Sequence, residues 1–282
     1  MGGFAGDVAP AGREVIARIV QRWRDRRDSY RPAGEPIETS KYSVEEIRED
    51  QVAKAFVLEH HYSGCYPAAR FRFGLYRDHA LAGVAVFSHP CSDRVLTNVF
   101  PVPAINAVEL GRFVLLDDVP ANGETWFLAR AFEILRGRGI AGVVSFSDPL
   151  PRCLEDGTTI FGGHVGTIYQ ASNGTYLGRS GAQTLRLLPD GTVFPARAIS
   201  KIRSGERGWS YAAARLERFG ASPAAAAGDL SGWLQAWLPR VTRPVRHRGN
   251  HRYAWALDRS LRRHLAALGP YPKAIDALPV EA

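Results

Sequence analysis

At 282 residues and 45% hydrophobic content, the chain is long enough for one large or two small domains with a sizeable core. No apolar run approaches the roughly eighteen residues of a membrane span, and residues 1–10 lack the basic-then-apolar layout of a signal peptide. Cys65, Cys91 and Cys153 are too few and too scattered for a disulfide framework or a CxxC metal knuckle. A cytoplasmic protein with no membrane partner is expected, and a net charge of +8 points to an anionic partner, nucleic acid first.

The arginines are placed unevenly. Arg13, Arg18, Arg22, Arg24, Arg26, Arg27 and Arg31 crowd the first segment, and Arg240, Arg243, Arg246, Arg248, Arg252, Arg259, Arg262 and Arg263 crowd the last. GC-rich coding also favours arginine, so the two basic ends around a balanced centre carry the argument rather than the total.

In chain order, Val15, Ile16, Ile19, Val20 and Trp23 recur at spacings of three and four and predict a helix over 13–30, broken by the Pro-Gly-rich run 31–36. Residues 1–36 then form a basic helical arm. Ser43 and Glu46 stand in capping-box spacing before an apolar stripe, which predicts a helix over 43–58. Clean alternation over 70–76, with Phe71, Phe73 and Leu75 on one face, and a return run over 80–87 predict a hairpin. Residues 108–116, 124–136 and 140–147 read as strand, helix and strand, a unit whose strands lie parallel with a right-handed crossover. Ligands of such sheets gather at the strand C-termini, here Asp117, Asp118, Ser147 and Asp148. Asp190-Gly191 predicts a second hairpin turn, and helices are expected over 209–219 and 229–238. In the basic tail, Leu257, Leu261 and Leu265 suggest a helix over 254–267 with Arg259, Arg262 and Arg263 on its outer face.

No GxSxG elbow, phosphate loop, HExxH or kinase set is present. The run Glu59-His60-His61-Tyr62-Ser63 is rich in groups that move protons near neutral pH. After it come, in order, Val108-Glu109-Leu110-Gly111-Arg112-Phe113-Val114, Asn122-Gly123-Glu124-Thr125-Trp126-Phe127, Ser145-Phe146-Ser147-Asp148-Pro149 and Gly166-Thr167-Ile168-Tyr169-Gln170-Ala171-Ser172-Asn173. This ordered set, across roughly residues 40–200, resembles the phage Mom DNA-modification family, which is similar in turn to the GCN5-related N-acetyltransferases.

The resemblance implies an α/β fold. Its acetyltransferase-like mixed sheet with flanking helices spans 37–200, preceded by the N-terminal arm and followed by a helical basic extension over 201–282. It also implies an activity: addition of a carbamoylmethyl group to the exocyclic N6 of adenine in double-stranded DNA, with the adenine flipped out, protecting the DNA from restriction. On that basis His61, Tyr62, Ser147, Asp148 and Tyr169 are the expected catalytic or base-holding residues. Arg72, Arg112, Arg248, Arg252, Arg259, Arg262 and Arg263 are the expected DNA contacts. Acetyl-CoA or a related thioester is the implied cofactor, its pyrophosphate held by Leu115, Asn122, Gly123, Thr125 and Trp126. The sequence departs from the acetyltransferase pattern there, because the spaced glycines are missing and Glu124 brings a carboxylate towards the anion. Acetyl transfer alone also cannot supply the terminal amide nitrogen of a carbamoylmethyl group, which leaves room for a second donor or a metal of unknown identity. The alternatives are a general acyltransferase for small amines or proteins, and a non-enzymatic DNA-binding anti-restriction protein.

Overall fold

The computed structural model describes residues 19–154 and 156–273. It begins with an antiparallel hairpin, β1 (Ile19–Arg24) and β2 (Arg27–Pro32), turned at Asp25 and Arg26, whose φ angles are +48° and +66°. From residue 19 onward this hairpin replaces the helix expected over 13–30; residues 13–18 lie outside the described residues. The reason is tertiary. Neighbouring residues on a strand face opposite ways, and here both ways lead to burial. Trp23 joins a core with Ile47, Val57, Val86 and Phe161, and Arg22 reaches the buried Glu124.

Next come β3 (Tyr42–Glu46) and α1 (Asp50–His60). The helix expected over 43–58 therefore starts later. Ser43 and Glu46 lie on an edge strand rather than in a capping box, and the N-cap is Glu49, with no side-chain cap bond. Tyr42 and Val44 pack inward while Ser43 and Glu45 face water, a period of two that wins over five residues. The expected hairpin is formed by β4 (Ala69–Arg77) and β5 (Ala80–Ser88). A one-turn helix α2 (Arg94–Thr97) leads to β6 (Ala107–Leu115), α3 (Gly123–Gly137) and β7 (Gly142–Ser147), with β6 and β7 parallel as expected.

Short strands β8 (Arg152–Cys153) and β9 (Thr159–Phe161), helix α4 (Thr167–Ala171) and strand β10 (Thr175–Arg179) follow. The chain then builds a second layer. Strands β11 (Gln183–Leu187) and β12 (Val193–Phe194) form the predicted hairpin, and helices α5 (Ala196–Ser204), α6 (Trp209–Glu217) and α7 (Leu230–Val241) pack around Leu188, Phe194, Ile202, Leu216, Trp233 and Leu234. Strand β13 (Arg243–His247) pairs with β11 and returns the chain to β14 (His251–Ala256).

The main sheet has the order β10-β14-β7-β6-β5-β4-β3, and only β6–β7 is parallel. Its faces are covered by α3, through Phe127, Leu128 and Leu135, and by α1, through Ala53 and Val57. Two tail expectations are corrected here. Residues 251–256 are an internal strand of the main sheet, which thus draws on chain well beyond residue 200, and residues 259–264 are a 3-10 turn rather than part of a helix over 254–267. Tyr253, Ala254 and Trp255 are all buried, on both faces of β14, as an internal strand requires and a one-sided helix does not allow.

Strand pairing positions the site. The β6–β7 register ends at Leu110–Ser145, yet β6 continues to Leu115 against β5, and β7 to Ser147 against β14. The sheet therefore opens between these two strands at their C-terminal ends.

Candidate active site

A cavity of ≈ 1130 Å³ occupies that opening. Segments far apart in sequence line it: Trp23 from β1, the loop His61–Tyr62–Ser63 after α1, Glu109 and Arg112 from β6, Asp148 just beyond β7, Arg152, Phe161 and His164, and Tyr169 from α4. The volume exceeds a nucleobase and lies at the upper end of small-molecule pockets.

Asp148 is the best-held group. Its Oδ1 accepts from the Leu150 N–H at 3.0 Å and from His247 Nε2 at 2.9 Å, while Oδ2 pairs with Arg152. The Gly249 N–H donates to His247 Nδ1 at 2.9 Å, so the ring proton lies on Nε2 and is directed at the carboxylate. Burial pushes the Asp148 pKa up, but the His247 hydrogen bond and the Arg152 charge outweigh it, and the carboxyl is held below its ordinary range. The guanidinium of Arg152 in turn lies 4.6 Å over the Phe161 ring.

Aromatic rings form the opposite wall. Tyr62 stacks on Phe161 with centroids 4.3 Å apart and planes 16° apart, His61 stacks on Tyr62 at 4.3 Å, and Trp23 leans on Tyr62 at 4.4 Å. The adjacent His61 and Tyr62 share this wall because the chain leaves the helix at His61 (ψ 133°). His61 Nδ1 accepts from the Ser63 N–H at 3.1 Å and lies 2.9 Å from Ser63 Oγ, which leaves its proton on Nε2. Burial foremost, then the charge of Arg112 and the influence of His164, lowers the His61 pKa well below that of free imidazole. Burial also draws His164 down to about 4 against the pull of Asp148, so both rings are neutral at pH 7. The Tyr62 hydroxyl sits 3.3 Å from His164 Nε2, and burial raises its pKa, which keeps it protonated.

Of the expected catalytic residues, His61, Tyr62, Asp148 and Tyr169 meet at this cavity, Tyr169 with 7% of its surface exposed. Ser147 does not line it. Its hydroxyl is buried beside Gly166, with no hydrogen-bond partner among the described residues. Sequence reasoning did not assign roles to Arg152, His164 and His247, which come from a loop, a glycine-rich run and the basic tail. It quoted Glu109 within a motif and gave it no catalytic role. In the structure Glu109 lines the cavity, and burial raises its pKa against the influence of Arg112.

The expected DNA arginines are dispersed. Arg112 is inside the cavity, its Nε donating to the Cys65 carbonyl at 2.9 Å. Arg72 pairs with Asp50 at 3.0 Å and donates to the Ile47 carbonyl at 3.2 Å, and Arg252 donates to the Leu177 carbonyl at 2.6 Å. Arg248, Arg259, Arg262 and Arg263 are exposed, but Arg262 lines a different cavity, with Phe132 and Arg136. The structure does not gather these four arginines at the active site.

The helix start proposed for coenzyme A is filled by the chain itself. Arg22 pairs with Glu124 at 3.2 Å and donates to the carbonyls of Leu116, Val119 and Pro120. The Ala121 N–H donates to Glu35 Oε2 at 3.2 Å, the Asn122 N–H to the Glu35 carbonyl at 3.3 Å, and the Gly123 N–H to the Pro120 carbonyl at 2.9 Å. Asn122 Oδ1 accepts from Ile37 N–H at 2.6 Å, Thr125 Oγ1 donates to the Asn122 carbonyl, Leu115 is buried in the sheet, and Trp126 lies under Arg130. The Ala121, Asn122 and Gly123 amides are already engaged, and two carboxylates stand beside them, which disfavours a pyrophosphate at this helix start. Coenzyme A at millimolar concentration is therefore expected to leave the melting temperature unchanged. A rise of several degrees would overturn this expectation. Among the described residues there is also no cluster of three His, Cys, Asp or Glu that could hold a metal ion, and no helix long and apolar enough to cross a membrane.

Residues 41–273, most of the chain and all of the cavity except the β1–β2 hairpin wall, match the Mom protein family. The chain belongs to the Mom protein family. Solved structures similar to this family member include an N-acetyltransferase from Staphylococcus aureus Mu50, at 9% identity over 77% of this chain and 99% of that one, with a TM-score of 0.34. A tandem GNAT protein from the clavulanic acid biosynthesis pathway (without AcCoA) is similar at 10% identity over 55% of this chain and 50% of that one, again with a TM-score of 0.34. No curated protein matches the chain significantly.

Proposed function

We propose that this chain transfers a carbamoylmethyl-type group to the exocyclic N6 of adenine in double-stranded DNA, with the adenine extruded into the cavity between β6 and β7. The observation that carries this reading is convergence. His61 and Tyr62, Glu109 and Arg112, Asp148 and Tyr169 belong to four separate motifs of the Mom-like pattern, and all line one cavity. Enzymes that act on a duplex base take it out of the stack and hold it by stacking and by hydrogen bonds to its edge. The aromatic side chains of His61, Tyr62 and Tyr169 line the space a base would enter, and the Asp148 carboxylate offers an acceptor for an N6 hydrogen. In the transfer, N6 forms a bond to the methylene carbon of the donor. The leaving group departs with the electron pair of the bond it breaks, and the displaced N6 proton passes to Glu109, whose raised pKa suits a base. Protonated Tyr62 and neutral His61 complete the polar lining. An acyltransferase for small amines that grips coenzyme A at the start of α3 is disfavoured by Glu35 and Glu124.

The test is mass spectrometry of nucleosides from the DNA of cells expressing the protein. The expected product is a deoxyadenosine in which a carbamoylmethyl group replaces one N6 hydrogen. Unmodified DNA alongside acylated small amines would overturn the reading in favour of an ordinary acyltransferase. Unmodified DNA with tight duplex binding would favour a DNA-binding protein without chemistry.

A further inference from the structure

Tyr211 is the most exposed large apolar side chain among the described residues, at 81%. It stands on α6, whose opposite face buries Ala212, Ala213 and Leu216 in the second layer. An isolated exposed aromatic residue means little by itself. This one lines the mouth of the cavity that holds Asp148, and the exposed Arg218, seven residues further on, shares its helix face, while Arg215 between them is held by the Val193 carbonyl at 3.1 Å and lies over the Phe194 ring. The same cavity is lined from other elements by Arg26 and Arg27, at the tip of the β1–β2 hairpin, and by Lys54 of α1. The guanidinium of Arg26 lies against Gly64, where a Cβ would come within 2.4 Å of it, and so borders the His61–Tyr62 loop. None of Arg26, Arg27, Lys54 and Arg218 forms an ion pair with an acid among the described residues, although the carboxylates of Asp25 and Asp190 line the same cavity. The mouth is thus two cationic jaws with an aromatic ring standing free on one of them.

We infer that Tyr211 is a wedge that enters the duplex and occupies the place left by the extruded adenine, while Arg218 on one jaw and Arg26 and Arg27 on the other hold the phosphate backbones. The inference rests on the adenine reading above. Side chains inserted between base steps unstack them and stabilise a deformed duplex, and an extruded base returns readily unless its gap is filled. Aromatic stacking on a base is sequence-tolerant, so the wedge aids extrusion in every context and leaves the choice of base to the cavity. The arginines carry the salt dependence, because phosphate contacts release counterions.

The experiment uses the full chain with short DNA duplexes in which 2-aminopurine, an adenine analogue that brightens when unstacked, replaces one adenine in every neighbouring-base context. The wild type is expected to raise the fluorescence in at least one context. Tyr211→Ala, at a position exposed enough to leave folding intact, is expected to cut the extruded fraction about tenfold, with affinity for duplex changed much less. Tyr211→Phe should keep the wild-type signal. Placing 2-aminopurine opposite an abasic site, where it costs little to extrude, should restore the signal of Tyr211→Ala. Equal signals from wild type and Tyr211→Ala on fully paired duplex would overturn the wedge and leave the adenine reading intact. Wild-type protein that neither binds duplex nor brightens any context would overturn the adenine reading, and the wedge with it.

Discussion

Replacing Asp148 with asparagine, together with Arg152→Gln, is expected to lower DNA modification by about a hundred- to ten-thousand-fold, the usual range for a group that handles a proton or holds the reacting amine. The double substitution is needed because Asp148 has two roles. It faces the cavity, and it also neutralises Arg152, whose side chain is only 9% exposed. Asp148→Ala alone would strand that buried guanidinium, and breaking a buried pair in this way costs about 3–5 kcal/mol. A loss of activity in the single variant would then report unfolding as much as chemistry. In the double variant the new asparagine amide can still accept from the Leu150 N–H and from His247 Nε2–H, and it meets a neutral glutamine amide instead of a cation. Melting temperature and modified-nucleoside yield are measured together. A double variant that melts like the wild type and modifies DNA at the wild-type rate would remove the Asp148 carboxylate from the chemistry.

Arg22→Ala is expected to have the largest effect on stability. It removes one ion of a pair that is 2% and 7% exposed, and it also strips the hydrogen-bond donor from the carbonyls of Leu116, Val119 and Pro120. The loss is about 3–5 kcal/mol, which for a chain of this size is a fall in melting temperature of roughly 10 °C. The partner gives the effect a pH signature. Burial raises the Glu124 pKa from 4.5 to about 7 in spite of Arg22. Between those values the folded protein holds a proton that the unfolded chain has released. This contribution is complete below pH 4.5 and is lost as pH rises through about 7. Glu124→Gln should therefore flatten the decline in melting temperature that the wild type shows between pH 5 and 7. An identical pH slope in Glu124→Gln and wild type would mean that Glu124 is ionised throughout, and a melting temperature unchanged by Arg22→Ala would mean that the hairpin does not dock here.

The same pair explains why the start of this helix differs from the cradle expected for coenzyme A, while the element itself was read correctly. That Gly123 and Glu124 open a helix follows from local spacing. That the Ala121 and Asn122 amides are engaged by Glu35, and the first-turn carboxylate of Glu124 by Arg22, depends on segments 86 to 102 residues upstream. No pattern within residues 115–126 encodes it.

Local pattern was enough for the alternating hairpin of β4 and β5, the parallel β6–α3–β7 unit, the Asp190-Gly191 turn and the position of Asp148 at a strand end. The order of the motifs was enough for the family. The structural readings rest on short-range physics: side-chain period, turn chemistry, and a crossover whose handedness is fixed by strand twist. It took long-range packing to make residues 19–32 a hairpin and residues 251–256 an internal strand. Neighbouring residues of β1 (Arg22 and Trp23) and of β14 (Tyr253 to Trp255) are buried on opposite faces, which a one-sided periodicity cannot reveal, and a strand becomes internal only when distant backbones supply its hydrogen bonds. The same holds for the site. Asp148 was legible from its place after a buried strand, but His247 came to it from 99 residues away in a basic tail, where the ring looked like part of a surface charge run. Burial and a single Gly249 N–H set its tautomer, and both exist only once β13 and β14 are in place.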